Sequence, residues 1–148
     1  MSTDERELSD SPRRRARELV LHGLYACEVT ENDPRDVLSQ IVKDESLSGK
    51  NQDYAKALFT KVRDTRDWSD QQLVLLATNW KLDRFAELDK IILRMAMTEL
   101  REMPDIPVRV VINEAIELAK KYSTSESASF INGILDSYVK KTEAQPES

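Results

Sequence analysis

Apolar residues recur at steps of three and four along residues 86–103 of this chain. The recurring positions are Leu88, Ile91, Ile92, Met95, Ala96 and Leu100. A period of 3.6 residues places these side chains on one face of an α-helix, whereas a half-buried strand alternates every second residue. The segment therefore predicts an amphipathic helix that packs against other helices.

Glycine and proline are too sparse for a chain rich in sheet. The 148 residues contain three glycines and five prolines, and short polar segments such as 43–50 separate further stretches with a helical period. Because helices joined by short links need few turn residues, we predict an all-α fold with about seven helices. They are expected from Ser11, from Pro34 to about Lys43, along 54–68, along 73–80, from Ala86 to Met103, from Pro107, and finally through Lys140.

Both ends of the chain lack an apolar period. Residues 1–10 carry four acidic residues against one arginine, and residues 142–148 are polar. Such segments cannot bury enough apolar surface to offset the entropy of ordering. We therefore predict a disordered acidic tail over 1–10, a single helical domain over 11–141 and a second disordered tail over 142–148.

Several functional classes are excluded by residue usage. Cys27 is the only cysteine and His22 the only histidine, which excludes a disulfide framework, a zinc quartet and a pair of Glu-x-x-His metal motifs. We therefore predict no metal and no cofactor. No run approaches 18 apolar residues, and the polar N-terminus is unlike a secretory signal, so we expect a cytoplasmic protein with no membrane contact.

Four arginines lie within residues 13–17, although the whole chain has a net charge of −5. Ser11 and Pro12 precede them and are typical of an N-cap and a first helical position. Cations at a helix N-terminus oppose the macrodipole by about 0.3–1 kcal/mol each, so this cluster favours a functional interpretation. Phosphate attraction acts within about 10 Å, and the acidic average does not exclude a local nucleic-acid site.

The helical period places an aromatic residue on the arginine side of this first helix. At 100° per residue, Arg14, Glu18, Leu21 and Tyr25 are expected to point away from the core. Arginine forks bind phosphates and a tyrosine ring can stack on an unpaired base, so the face suits single-stranded RNA. A solvated arginine run, with Tyr25 packed on a neighbouring helix, is the alternative, and the residues alone do not decide between them.

Two further features have a structural interpretation. Glu114 and Glu117 lie one turn apart on a predicted amphipathic helix, where carboxylates are usually solvated or paired with lysines such as Lys120. Gly133 interrupts a helical pattern at a cost of about 1 kcal/mol relative to alanine. We interpret Gly133 as permitting close helix packing or a local bend.

Several segments together resemble the NusB family of transcription antitermination factors, in collinear order from about residue 11 to 141. The most specific are INEAIELAK at 112–120 and FINGILD at 130–136. The other matching segments are residues 13–18, 24–25, 93–100 and 106–108.

The resemblance implies two packed helical subdomains, about 11–68 and about 69–141, and no catalysis. It implies binding to the boxA element of ribosomal RNA leader transcripts together with NusE, a small-subunit ribosomal protein. It also implies a place on RNA polymerase through other Nus factors, where the complex suppresses premature termination. The RNA-binding roles carry over to Arg13, Arg14, Arg15, Arg17, Tyr25, Asp89 and Phe130.

Two other functions stay open at this point. The chain could be a helical protein–protein interaction module or a homodimer that buries Tyr25 and the arginines against its twin. It could also correspond to the helical appendage of a ribosomal RNA methyltransferase. No glycine-rich cofactor loop accompanies it, however.

Overall fold

The computed structural model describes residues 11–77 and 85–144, and these residues form seven α-helices and no strand. The helices are α1 (Ser11–Val29), α2 (Pro34–Val42), α3 (Gly49–Asp64), α4 (Arg66–Leu76), α5 (Glu87–Glu102), α6 (Val108–Tyr122) and α7 (Ser125–Ala144). The predicted all-α fold is confirmed. No helix within the described residues is long and apolar enough to cross a bilayer.

The structure tests the predicted C-terminal tail in part and does not test the predicted N-terminal tail. Residues 1–10 and 145–148 lie outside the described residues. The prediction of a tail from residue 142 is wrong, because α7 continues to Ala144 and the hydroxyl of Thr142 donates to the carbonyl of Val139 at 2.9 Å.

Helix boundaries follow local chemistry where a cap is present. Asp33 caps α2 by accepting the backbone N–H of Arg35 at 2.9 Å, and Pro34 occupies the first turn. The sequence predicts one helix along 54–68, with a kink or break near Trp68. The break lies earlier, at Thr65, between the end of α3 at Asp64 and the start of α4 at Arg66. Trp68 belongs to α4, and its ring makes an edge-to-face contact with the ring of Tyr138, with 6.1 Å between the centroids.

The described residues up to Asp64 form the first of two compact units, which contains α1, α2 and α3. The helix α1 packs against both α2 and α3. Its buried arc is therefore wider than one apolar stripe, and the expectation that Leu21 and Glu18 point outwards is wrong. Leu21 is fully buried and Glu18 is 6% exposed.

Gly23 explains how closely α1 and α2 approach. A Cβ at this position would lie 2.8 Å from Cγ1 of Val37 and 2.9 Å from Cδ1 of Ile41. Both distances are shorter than a normal carbon–carbon contact of about 3.5 Å. The absence of a side chain at Gly23 is thus required by packing within this unit.

The second unit begins at Thr65, four residues earlier than the expected boundary, and consists of the described residues from there onwards. The helix α5 packs against α4, α6 and α7, and residues 91–99 are all buried. The helix predicted as amphipathic therefore also buries polar residues, of which Arg94, Thr98 and Glu99 are at most 4% exposed.

Two interpretations from the sequence are wrong in part in this unit. Glu114 is not solvated but 2% exposed, whereas Glu117 stays at the surface 3.9 Å from Lys120, as predicted. Close packing, one of the two roles predicted for Gly133, is wrong, because Gly133 is exposed and a Cβ there would meet no neighbour within 4 Å.

Candidate nucleic-acid interface

The arginine cluster of α1 divides into accessible and buried side chains. Arg13, Arg14 and Arg15 are partly exposed, whereas Arg17 is only 1% exposed. The Cζ atoms of Arg13 and Arg17 lie 4.4 and 5.5 Å from the centroid of the Tyr54 ring. Arg17 therefore packs in the interior of the unit, and the structure does not support the predicted direct contact between Arg17 and RNA.

Arg15 is held by the loop between α2 and α3. Its Nε donates to Oγ of Ser46 at 3.2 Å, and its Nη1 lies 3.8 Å from a carboxylate oxygen of Glu18. The hydroxyl and the backbone N–H of Ser46 both donate to Asp44. These hydrogen bonds, with a smaller contribution from the Arg15 charge, hold the pKa of Asp44 below its usual value.

Tyr25 lies on α1, three turns beyond Arg14, and is partly exposed. His22, one turn before Tyr25, is exposed as well. Arg13, Arg14, Arg15 and Tyr25 thus present cationic and aromatic groups from one helix. Such groups can pair with phosphates and stack on a base.

Asp89 and Phe130 lie together in the second unit. They line a cavity of about 280 Å³ with Phe85, Ala86, Thr124, Glu126 and Ser127. The rings of Phe130 and Phe85 meet edge to face, with 5.1 Å between centroids. The structure therefore brings two residues that are 41 positions apart into one cavity.

The carboxylate of Asp89 is only half satisfied within this cavity. Asp89 is 7% exposed, and its Oδ2 accepts a hydrogen bond from the hydroxyl of Ser127 at 2.9 Å. Its Oδ1 is buried and has no hydrogen-bond partner among the described residues. A buried acceptor in this state favours a ligand that brings an N–H or O–H donor beside the Phe130 ring.

Sequence reasoning missed the residues that support the arginines. Tyr54 fits the apolar period of α3, so nothing in the pattern distinguishes it from the core residues Leu58 and Phe59. Ser46 lies in a polar loop with no recognisable motif. Only the packing of three helices reveals that both contact arginines of α1.

Comparison with known proteins identifies one family. A model of the NusB family matches residues 14–140. The transcription antitermination protein NusB of Trichlorobacter lovleyi is 44% identical over 124 residues, which cover 84% of this chain and 87% of the relative. NusB of Salinibacter ruber is 41% identical over 129 residues, which cover 85% of this chain and 79% of the relative.

Solved structures give the same result for the fold. NusB of T. maritima superimposes with a TM-score of 0.81 at 34% identity, over 89% of this chain and 93% of that one. A chain from the crystal structure of antitermination factors NusB and NusE in complex with double-stranded RNA gives a TM-score of 0.76 at 22% identity, over 87% of this chain and 96% of that one. The second match supports the helical fold alone.

Proposed function

The chain belongs to the NusB family, and on that premise we propose that it is an RNA-binding transcription antitermination factor without catalytic activity. It binds the boxA element of ribosomal RNA leader transcripts together with NusE. In the cytoplasm it joins RNA polymerase through other Nus factors. There it suppresses premature termination.

The observation that carries this proposal is the partly exposed series Arg13, Arg14 and Arg15 on α1. Each guanidinium offers several N–H donors in one plane, the geometry that suits phosphate oxygens. Tyr25, on the same helix, supplies a flat apolar surface on which one unpaired base can stack. We assign Arg17 to packing within the first unit and leave it outside the contact surface.

The cavity of the second unit supplies a base-recognition element in the same proposal. Oδ1 of Asp89 accepts a hydrogen bond from an exocyclic amino group, which adenine, cytosine and guanine carry and uracil lacks. The ring of Phe130 packs against that base. Recognition of this kind requires a base that is free of its pairing partner.

The number of accessible arginines predicts modest affinity for RNA alone. Three phosphate contacts on a single strand give a slope of log affinity against log salt concentration of about −2. Affinity then falls about 20-fold between about 50 and 200 mM salt. NusE, as a basic partner, adds contacts of its own, and the net charge of −5 attracts it by complementary potential.

A salt series with labelled RNA tests the proposal. Fluorescence anisotropy of a single-stranded RNA that contains boxA is recorded with the protein alone and with NusE. We expect binding that weakens with salt at a slope near −2 and strengthens when NusE is added. Lys140→Ala is the matched control, because Lys140 is an exposed cation of α7 that lies outside both proposed surfaces.

Failure of RNA to bind at low salt, with and without NusE, would exclude the proposed function. The same result would favour the helical interaction module that the sequence leaves open. Sedimentation of the protein alone then shows whether two copies associate.

A further inference from the structure

We infer that Tyr54 is a positioning residue for RNA binding: it fixes the orientation of the Arg13 guanidinium at the surface of the first unit. This inference rests on the function proposed above. Tyr54 lies on α3 and is 9% exposed. It is itself too enclosed to meet RNA. Its effect on RNA must therefore pass through the arginines that it touches.

The ring of Tyr54 contacts two arginines of α1. The Cζ atom of Arg13 lies 4.4 Å from the ring centroid, and that of Arg17 lies 5.5 Å from it. Both distances are within the range of about 6 Å for cation–π attraction. Residues 13 and 17 are one helical turn apart, so one face of α1 brings the accessible Arg13 and the buried Arg17 to the same ring.

Stacking on an aromatic ring leaves the binding capacity of arginine intact. A guanidinium that packs its flat face on an aromatic ring keeps its N–H donors at the edge, because they lie in the guanidinium plane. Arg13 is partly exposed, so donors at its edge can reach a phosphate. A side chain already held in one orientation loses less conformational entropy on binding than a freely rotating arginine does.

A double-substitution cycle between Arg13 and Tyr54 tests this role. RNA affinity is measured at low salt for the unsubstituted chain, Arg13→Gln, Tyr54→Leu and the double variant. Tyr54→Leu removes the aromatic face, and we expect affinity to fall about 3- to 10-fold. In the Arg13→Gln background the same substitution should have no further effect, because the side chain through which the ring acts is gone.

Two control variants separate positioning from folding. Tyr54→Phe retains the ring and should keep affinity within about 2-fold of the unsubstituted chain. Phe59→Leu removes a buried ring from the same helix and should leave RNA affinity unchanged while the protein stays folded. Circular dichroism melts establish the temperature range in which each variant is folded.

The outcomes distinguish this inference from the proposed function. Binding by the unsubstituted chain, with losses from Arg13→Gln and Tyr54→Leu that simply add, would overturn the positioning role alone. Absence of binding by the unsubstituted chain would overturn both. Should Tyr54→Leu unfold, the NMR signal of the Arg13 Nε–H group decides: a ring-current displacement supports the contact, and a random-coil position overturns it.

Discussion

Arg94 donates hydrogen bonds to both carboxylate oxygens of Asp70, from Nε at 2.8 Å and from Nη2 at 3.1 Å. The pair joins α5 to α4 within the second unit, and the Arg94 side chain is 4% exposed against 23% for Asp70. A bidentate pair with charged partners is among the stronger hydrogen-bonded contacts in proteins. The burial of Arg94 makes the loss of Asp70 costly, because the Arg94 charge then stays in the interior without this carboxylate.

Asp70→Ala should lower the free energy of unfolding by about 2–4 kcal/mol, because it removes both hydrogen bonds that the buried guanidinium of Arg94 donates to Asp70. Urea denaturation followed by circular dichroism measures the change. Gln71→Ala is the matched control, since Gln71 is an exposed neighbour on α4 and should change stability by less than about 0.5 kcal/mol. Equal effects of the two substitutions would show that the pair does not stabilise the fold.

Gly23→Ala and Gly133→Ala should change stability in opposite directions. Alanine improves helix propensity by about 1 kcal/mol at either position. At Gly133 nothing opposes this gain, because a Cβ there has open space, and we expect stabilisation by about 0.5–1 kcal/mol. At Gly23 the stiff side chain of Val37 lies 2.8 Å from the new Cβ, and overpacking should give a net loss of about 1–2 kcal/mol.

The double variant Gly23→Ala/Val37→Ala checks the cause of that loss. Removing Cγ1 of Val37 relieves the overlap, so a second Ala at position 37 should cost less in the Gly23→Ala background than alone. Thermal melts of the four proteins give this coupling. Independent, additive losses would mean that Gly23 matters for a reason other than its approach to Val37.

The helices could be predicted from the sequence because each depends on local signals. The steps of three and four in α5 and the Asp33–Pro34 start of α2 both appear in the chain itself. Burial of polar residues could not be predicted in the same way. Arg94 and Glu99 are charged, and charged residues usually lie at the surface. Only the packing of other helices of the second unit against α5 encloses them.

The candidate site could be predicted in part. The arginine run is evident from local charge, but its four members are equivalent in sequence. Only the packing of α1 against α2 and α3 separates the buried Arg17 from the accessible Arg13. Asp89 and Phe130 are predicted through family resemblance alone. Their common cavity depends on how the starts of α5 and α7 meet, which no local pattern encodes.

Arg14→Ala and Tyr25→Ala should weaken RNA binding in different ways. Loss of one phosphate contact makes the salt slope shallower by about 0.7, so the effect of Arg14→Ala shrinks as salt rises. Loss of a stacked base costs about 1–3 kcal/mol of binding and does not depend on counterions, so Tyr25→Ala should keep the slope. Anisotropy titrations at four salt concentrations measure both. Unchanged binding in both folded variants would place the RNA surface elsewhere.

Asp89→Ala should alter which RNA is preferred, whereas Phe130→Leu should weaken binding in general. The proposed donor to the Asp89 carboxylate is an exocyclic amino group, which uracil lacks, so Asp89→Ala should reduce the preference for the boxA sequence over oligouridine of the same length. Phe130→Leu should weaken binding to both RNAs by about 1–3 kcal/mol. Competition between the two labelled RNAs measures the preference. An unchanged preference in Asp89→Ala would remove base recognition from this cavity.

Asp44 should make the first unit sensitive to acid. The pKa of its carboxyl is lowered in the folded protein, mainly by the two hydrogen bonds from Ser46 and less by Arg15, below a reference value of 3.8. The unfolded chain therefore binds more protons as the pH falls, and the stabilisation from Asp44 is complete above about pH 5 and lost as the pH falls through the folded pKa. No change from this group is expected between pH 6 and 8.

Ser46→Ala separates the hydrogen bonds from the rest of the loop. Without the hydroxyl, the pKa of Asp44 should move up towards its ordinary value, and the acid unfolding midpoint should move to higher pH. Titration of the Asp44 carboxyl carbon by NMR measures the first effect and circular dichroism the second. Ser137→Ala, at an exposed position of α7, should change neither. Identical titration of the Asp44 carboxyl with and without the Ser46 hydroxyl would mean that this hydroxyl does not hold the carboxylate. Arg15 would then lose the anchor that its contact with Ser46 provides.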